Sequence, residues 1–347
     1  MFNKLFGKFS KDLGIDLGTS NTLIYAEGRG IVVNEPSVVA VNTRTSQILA
    51  VGKDAQRMIG KTPPHVTITH PLVDGVISDF EVTEKMLKFF MDKLTGGRFL
   101  SFARPRVVIA IPLDITEVER KAVEDAVLSA GAREVFLIEK IMATAIGARI
   151  PVREATGNMI VDLGGGTTEI AVISLDGVVT WKSLRLAGDE LTQNIVQYVR
   201  DHFNLLLGEK MAEEAKIKIG TAKPQEELLE MQVRGRDLMT GLPREMTLTS
   251  EHIRDAIIRS LRLMIDDIKA TLEVTPPELV ADIFERGIIL SGGGALLKSM
   301  DRAIADATQI PVRVTDDPLT AVARGAGIVL ENLSTYQDIL IPSAQER

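Results

Sequence analysis

The sequence predicts an α/β protein built from two related halves, and three observations carry that prediction. Asp16-Leu17-Gly18-Thr19-Ser20-Asn21-Thr22 and Asp162-Leu163-Gly164-Gly165-Gly166-Thr167-Thr168-Glu169 are near-copies of one acidic, glycine-rich turn, set far apart in the chain. Each turn follows a short apolar run, Leu13 to Leu17 or Met159 to Leu163, and precedes another, Leu23 to Ala26 or Ile170 to Ile173, so each reads as a hairpin tip. Apolar residues at helical spacing then alternate with further short apolar runs, the pattern of mixed strands and helices.

In the first half, Met86, Leu87, Phe90, Met91 and Leu94 recur at helical spacing, the strand Val107 to Ile111 follows, and Val118, Ala122, Ala126 and Ala130 mark a second helix. In the second half Leu191, Ile195, Val196 and Val199 give one helical face. Ile257, Leu261, Met264, Ile265, Ile268 and Leu272 give a longer one that ends before Pro276-Pro277. These stripes are expected to face cores. A chain of 347 residues with 45% hydrophobic content suits two domains, divided at about 1–150 and 151–333, with a polar, loose tail over 334–347.

The turns point to a ligand class. Glycine lets a backbone approach a ligand closely, and successive free amides with Ser and Thr hydroxyls make a concavity for anions. An aspartate at the head of each turn would repel phosphate unless a divalent cation lay between, and Mg²⁺ suits carboxylate, phosphate and water oxygens. Asp16 and Asp162 are therefore the expected Mg²⁺ residues, with Gly18, Thr19, Ser20 and Asn21 and Gly164, Gly165, Gly166 and Thr167 around a polyphosphate. One glycine-rich hairpin alone needs no ligand; two copies make the case. A third element, Ser291-Gly292-Gly293-Gly294-Ala295-Leu296-Leu297, follows the apolar run Gly287 to Leu290 and leads into a helix-like stretch, which would set a nucleotide against a helix N-terminus.

Composition excludes other classes. No apolar stretch approaches the length of a membrane span, and the N-terminus lacks the apolar core and cleavage site of a secretory signal, so a cytoplasmic home is expected. Zero cysteines exclude disulfides, thiolate metal sites and a cysteine nucleophile. A net charge of −7 argues against nucleic acid as a partner, and His65, His70, His202 and His252 show no metal-ligand spacing. The N-terminus departs from this acidic background. Phe2, Leu5, Phe6 and Phe9 share one face of a helix with Lys4, Lys8 and Lys11 around it, a basic amphipathic segment suited to an anionic bilayer, although packing onto the first domain accounts for the same pattern. Phe99, Leu100 and Phe102 lie in the loop Gly96 to Arg106, where no periodic element buries them.

From about Asp12 to about Leu330 the chain resembles the actin-like ATPases. The resemblance rests on both phosphate turns, Asn34-Glu35-Pro36-Ser37, Asp74-Gly75-Val76-Ile77, Thr275-Pro276-Pro277-Glu278-Leu279, the third glycine-rich turn and Asp317-Pro318-Leu319. It implies two ribonuclease H-like domains around a nucleotide cleft, each with a smaller subdomain. The insertion Val33 to Pro71 would form the first, about 33–71, and the polar stretch Thr221 to Ser250, within about 188–256, the second; the segment 320–333 would pack back on the first half. Sugar kinases and heat-shock chaperones share the turns but add long substrate segments for which this chain has no room. The resemblance further implies ATP with Mg²⁺, homopolymeric filaments, attachment to the inner face of the cell membrane through the two apolar segments above, and work with the cell-wall elongation machinery to maintain rod shape.

The resemblance also assigns residues. Glu213 and Lys216, one helical turn apart, would hold the nucleoside, although a surface ion pair explains their spacing equally well. Gly188 and Asp189 would lie near the phosphates, and Gly292, Gly293, Gly294, Ala295 and Leu296 beside the nucleotide. The chain departs from the family at Phe136-Leu137-Ile138-Glu139-Lys140-Ile141-Met142-Ala143, where the family has an acidic residue, a glutamate and a proline after Leu-Ile. The glutamate that orients the attacking water is Lys140 here, and the proline is Ile141. A lysine does not accept a proton from water at neutral pH unless strongly desolvated. Glu139, on an extended backbone, would point the other way. Thr167, at a position that helps place the γ-phosphate and the water, is kept, so nucleotide binding is expected to survive better than hydrolysis.

Overall fold

The computed structural model describes residues 12–95 and 104–342. The chain divides into two compact units, the first of residues 1–154, 175–177 and 319–347, the second of residues 155–174 and 178–318.

The first unit opens with β1 (Leu13–Leu17), β2 (Asn21–Ala26) and β3 (Gly30–Pro36). The smaller β4 (Val39–Asn42), β5 (Gln47–Val51), α1 (Lys53–Gln56) and β6 (Val66–Thr69) follow, then the short hairpin β7 (Leu72–Val73) and β8 (Val76–Ile77). Next come α2 (Phe80–Thr95), β9 (Arg106–Ile111), α3 (Glu117–Ser129), β10 (Glu134–Glu139) and α4 (Lys140–Gly147). In the second unit β11 (Asn158–Leu163), β12 (Thr168–Ser174) and β13 (Gly177–Leu184) are followed by α5 (Gly188–Phe203), β14 (Leu205–Leu207), α6 (Glu209–Ile219), β15 (Glu230–Asp237) and β16 (Pro243–Thr249). The elements α7 (Ser250–Glu273), α8 (Pro277–Arg286), β17 (Ile288–Ser291), α9 (Met300–Thr308) and β18 (Val312–Val314) complete it. The chain then returns to the first unit with α10 (Ala321–Glu331) and β19 (Leu340–Ile341).

The two main sheets repeat one topology. Strand order is β19-β10-β9-β1-β2-β3 in one and β13-β12-β11-β17-β18 in the other. In each, an antiparallel hairpin is flanked by a parallel neighbour: β1 pairs with β2 and β9, β11 with β12 and β17. The insertion after β3 forms the sheet β5-β4-β6 over its own small core of Val38, Ala40, Ala55 and Val66. The polar stretch of the second half forms the β15–β16 hairpin, with β14 beside it.

Alternation on β1 decides which face meets which helix. Leu13, Ile15 and Leu17 join Met86, Leu87, Phe90 and Val127 in one core, whereas a Cβ on Gly14 would lie 2.7 Å from the Gly327 nitrogen on α10. Glycine at both positions allows that approach. A still closer contact joins α4 to α10, where a Cβ on Gly147 would fall 1.9 Å from Ala321 O and one on Gly325 would fall 1.8 Å from Ala143 O.

Three expectations need correction. Val118 is 80% exposed. Each step of four residues turns a helix by about 40° more than a full circle, so the row from Val118 to Ala130 winds out of the core, and the buried face of α3 is instead built on Val123, Ala126 and Val127. The tail expected to be loose from 334 contains β19, which pairs antiparallel with Leu137 and Ile138 of β10 and so covers an open sheet edge with Leu340 and Ile341. The third glycine-rich turn runs into a single 3₁₀ turn, Gly293–Leu296, rather than an α-helix, with α9 beginning only at Met300.

Candidate functional site

Both acidic turns are hairpin tips of one design. Leu17 pairs with Thr22 and Leu163 with Thr168, leaving residues 18–21 and 164–167 as the loops. Each loop is closed by the same hydrogen bond: Gly18 N donates to Asn21 O at 3.1 Å, and Gly164 N to Thr167 O at 2.9 Å. The aspartates occupy equivalent places in the two sheets, Asp16 opposite Leu23 and Ala110, Asp162 opposite Glu169 and Ser291. Both are buried.

In the first unit the turn is braced from two sides. Ser37 donates its backbone N–H to Ser20 O (3.0 Å) and its hydroxyl to Gly18 O (2.6 Å), and shares a 2.9 Å hydroxyl contact with Thr22. Asp74 and Gly75, at φ 50° and 80°, form the tight β7–β8 turn, and Gly75 N donates to Thr19 Oγ1 at 2.9 Å. Ser37 and Gly75 were not singled out by sequence reasoning as part of the site, although both lie in motifs that the resemblance counted. At the end of β10, Glu139 is the N-terminal flanking residue of α4 and Lys140 its first residue. Burial raises the Glu139 carboxyl above its ordinary pKa. Ile141 is fully buried.

In the second unit the turn is fastened to the start of α5. Gly188 N donates to Gly164 O (3.1 Å) and Asp189 N to Gly165 O (2.8 Å), while the Thr168 hydroxyl donates to Leu186 O (2.8 Å). Gly188 and Asp189 thus hold the turn through their backbones. The third turn packs against the same place: at φ 78° Gly292 lies where a Cβ would meet Leu163 O at 2.4 Å, and its N–H donates to Pro318 O. Leu163, Gly164, Gly188, Leu191, Gly294 and Leu297 line one pocket, so these three segments share a wall.

Lys216 and Glu213 do form an ion pair, at 2.6 Å. The Lys216 side chain is nearly buried and also donates to Gly188 O (2.6 Å) and Thr192 Oγ1 (2.9 Å). Thr192 in turn donates to Glu213. Thr192 was missed in the sequence; its one signal is a place one helical turn after Gly188. Lys216 therefore ties α6 to the N-terminus of α5, and Glu213, 43% exposed, holds the more open end of the pair.

A magnesium ion fits the chemistry of the donors. Asp16 and Asp162 offer hard carboxylate oxygens beside glycine-rich turns, and Asp16 Oδ1 lies 3.9 Å from where a Gly18 Cβ would be, directed toward its turn. Among the described residues no cluster of three or more His, Cys, Asp or Glu side chains makes a closed cage. A cation at either aspartate would complete its shell with phosphate oxygens and water.

The family model described as MreB/Mbl protein matches residues 10–338. The chain belongs to the MreB/Mbl family. It is 50% identical over 340 residues to the cell shape-determining protein MreB of Escherichia coli strain K12, covering 97% of this chain and 98% of that one. It is 46% identical over 325 residues to the cell shape-determining protein Mbl of Bacillus subtilis strain 168, covering 94% and 97%. Among solved structures, MreB5 of Spiroplasma citri bound to ADP superposes with a TM-score of 0.90 at 35% identity, covering 95% of this chain and 99% of that chain, and MreB5 bound to AMPPNP has the same score. The MamK double helical filament, at 21% identity and a TM-score of 0.77, shares the fold. The fold is actin-like, as the two repeated sheets require. Phe2, Leu5, Phe6, Phe9, Phe99, Leu100 and Phe102 lie outside the described residues.

Proposed function

We propose that this MreB/Mbl family member is an ATP-binding, Mg²⁺-dependent, actin-like cytoskeletal protein. It polymerises on the inner face of the cytoplasmic membrane and organises cell-wall growth to maintain rod shape. The observation that carries the reading is the repeated turn: one in each unit, closed by the same hydrogen bond and preceded by a buried aspartate in the same register. The named roles of the relatives, cell shape determination, and the ADP and AMPPNP bound by MreB5 support it.

In this reading the backbone amides of Gly18 to Asn21 and of Gly164 to Thr167 receive the phosphates. The wall formed by Gly188, Gly294 and Leu297 receives the nucleoside, and the open carboxylate of Glu213 accepts from ribose hydroxyls. Asp16 and Asp162 hold Mg²⁺, partly through water; the ion supplies charge neutralisation of the phosphates when bound. ATP contacts favour the conformation that adds subunits, and loss of the γ-phosphate weakens that preference. Lys140 keeps a positive charge near the strand end where the family places a water-orienting glutamate, so nucleotide turnover is slow. Phe2, Leu5, Phe6 and Phe9, with Phe99, Leu100 and Phe102, contact the bilayer.

The test is sedimentation of the purified protein with Mg²⁺-ATP, Mg²⁺-ADP or neither. Filaments in electron micrographs and a pellet that depends on ATP are expected. A protein that stays in the supernatant in all three, while phosphorylating a small molecule from a sugar panel, would replace this reading with that of a kinase.

A further inference from the structure

We infer that Thr192 is a positioning residue that sets the preference of the site for a ribonucleotide: it holds one oxygen of Glu213 in place so that the other meets a ribose hydroxyl. The inference deepens the nucleotide-binding reading above and rests on it.

Thr192 has a plain local role. A threonine inside a helix commonly donates to the carbonyl four residues back, and Thr192 does so, to Gly188 O at 3.1 Å. That bond alone would need no ligand. Two further contacts come from a second helix: Lys216 Nζ on α6 donates to Thr192 Oγ1 at 2.9 Å, and the hydroxyl also has Glu213 Oε2 as an acceptor. Thr192 is buried and the Lys216 side chain nearly so.

Donors and acceptors in this cluster match one for one. An ammonium has three N–H groups, and those of Lys216 have three acceptors around them, Gly188 O at 2.6 Å, Thr192 Oγ1 at 2.9 Å and Glu213 Oε2 at 2.6 Å. A charge taken out of water is stable only when matched in this way, so Lys216 has one place to be. The hydroxyl of Thr192 has a single proton, and of its two acceptors the carboxylate is the stronger. Both anchors of Glu213 therefore fall on Oε2. Its Oε1 has no partner among the described residues, and the side chain is 43% exposed, so Oε1 is the atom left for a ligand.

The same cluster reaches the phosphate turn. Gly188, which accepts from both Thr192 and Lys216, donates its own N–H to Gly164 O at 3.1 Å. The turn and the Glu213 carboxylate are thus fixed in one frame, inside the second unit. A group aimed beforehand loses less freedom when its ligand arrives. A site that gives a ribose hydroxyl a charged acceptor also rejects the analogue that lacks the hydroxyl. Without the Thr192 hydroxyl, the carboxylate keeps only its Lys216 contact and turns about it; discrimination decays while the phosphate contacts remain.

The test is the affinity of the purified protein for the Mg²⁺ complexes of ATP, 2′-deoxy-ATP and 3′-deoxy-ATP, measured by calorimetry. Wild type is compared with Thr192→Val, Thr192→Ala, Thr192→Ser and Glu213→Gln, with a melting temperature for each. Wild type is expected to prefer ATP to at least one deoxy analogue by about tenfold, the size of one hydrogen bond to a charged group. Thr192→Val should lose most of that preference, binding ATP about three- to tenfold more weakly with little change for the analogue, and Thr192→Ser, which keeps the hydroxyl, should restore it. Glu213→Gln should lose the preference too, and the two changes together should cost no more than either alone. Thr192→Ala serves if the branched valine melts the protein. A folded variant without the hydroxyl that keeps the wild-type preference overturns the inference. So does one that weakens all three nucleotides alike, since that marks a threonine that only supports its helix. Wild type that binds ATP and both analogues equally overturns the ribose contact, whereas wild type that binds no nucleotide removes the underlying reading before any variant is made.

Discussion

At the scale of single residues, the two aspartates and the lysine at the head of α4 carry the sharpest expectations. Asp16→Ala or Asp162→Ala should abolish much of the Mg²⁺ dependence of ATP binding, measured by calorimetry with and without the cation; unchanged Mg²⁺-ATP affinity in both variants would remove the proposed metal geometry. Lys140→Glu should speed phosphate release under polymerising conditions by about 10²-fold, the contribution typical of a positioned acid or base. Ile141 is the second residue of α4, in a turn whose N–H groups have no partner within the helix, so Lys140→Glu with Ile141→Pro is tolerated by the backbone and is the fuller repair. Wild type releasing phosphate as fast as either variant would pass the chemistry to another acid. Glu139 offers a pH test of its own. Its folded pKa is raised by burial, so folding favours the protonated form. The penalty for ionising it is absent below the ordinary carboxyl pKa and complete above the raised one, and stability falls as pH rises through that interval. Glu139→Gln should therefore melt like wild type in acid and above it at neutral pH, by thermal denaturation at both. These residues were singled out in the sequence because the chemistry expected of them is local to a motif. Ser37, Gly75 and Thr192 were not, because each reaches the site by a hydrogen bond across 19, 56 or 21 residues of sequence, which no periodicity records.

Elements show where pattern reading succeeds and where it drifts. The hairpins β1–β2 and β11–β12 could be read from the sequence because each is an apolar run, a glycine-rich turn and a second apolar run. The α3 stripe was misplaced because spacing of four alone does not stay on one face, and β19 was missed because two apolar residues are too short a run to register as a strand. Nothing in the sequence announces that α4 and α10 touch, since glycines at 147 and 325 look like ordinary helix weaknesses until the other helix is in view. Gly325→Ala should lower the melting temperature by an amount equivalent to about 1–3 kcal/mol or more, because the new methyl meets Ala143 O at 1.8 Å and backbone must move. Gly208→Ala is the control. Its Cβ has nothing within 4 Å and its φ of −77° suits any residue, so the change should cost only the poorer N-cap that alanine gives α6, about 1 kcal/mol or less.

For the whole molecule, assembly and surface attachment should reinforce each other. Deleting residues 1–9 and replacing Phe99 and Leu100 by serine should each weaken vesicle co-sedimentation, the combination most, with nucleotide affinity near wild type. Polymerising conditions should strengthen binding of the intact protein, since many weak anchors on one filament act together. Equal co-sedimentation of the combined variant and wild type would free both segments from an anchoring role.

The path of the chain through its two units has a consequence for how the protein is made. The second unit is finished by Pro318, whereas the first waits for α10 to cover β1 and β2 and for β19 to close the edge of β10. On the ribosome, the half that is synthesised first is thus the half that completes last, with the glycine face of β1 uncovered while more than 150 further residues emerge. A protein ending at Pro318 should give, under limited proteolysis, a resistant fragment from the second unit and a digested first unit. Two resistant fragments would mean that the first sheet stands without its last helix. If the expectation holds, a premature stop between Pro318 and the end of α10 at Glu331 leaves a nascent chain whose second unit has its acidic turn built while the sheet of the first stays unsealed and aggregation-prone.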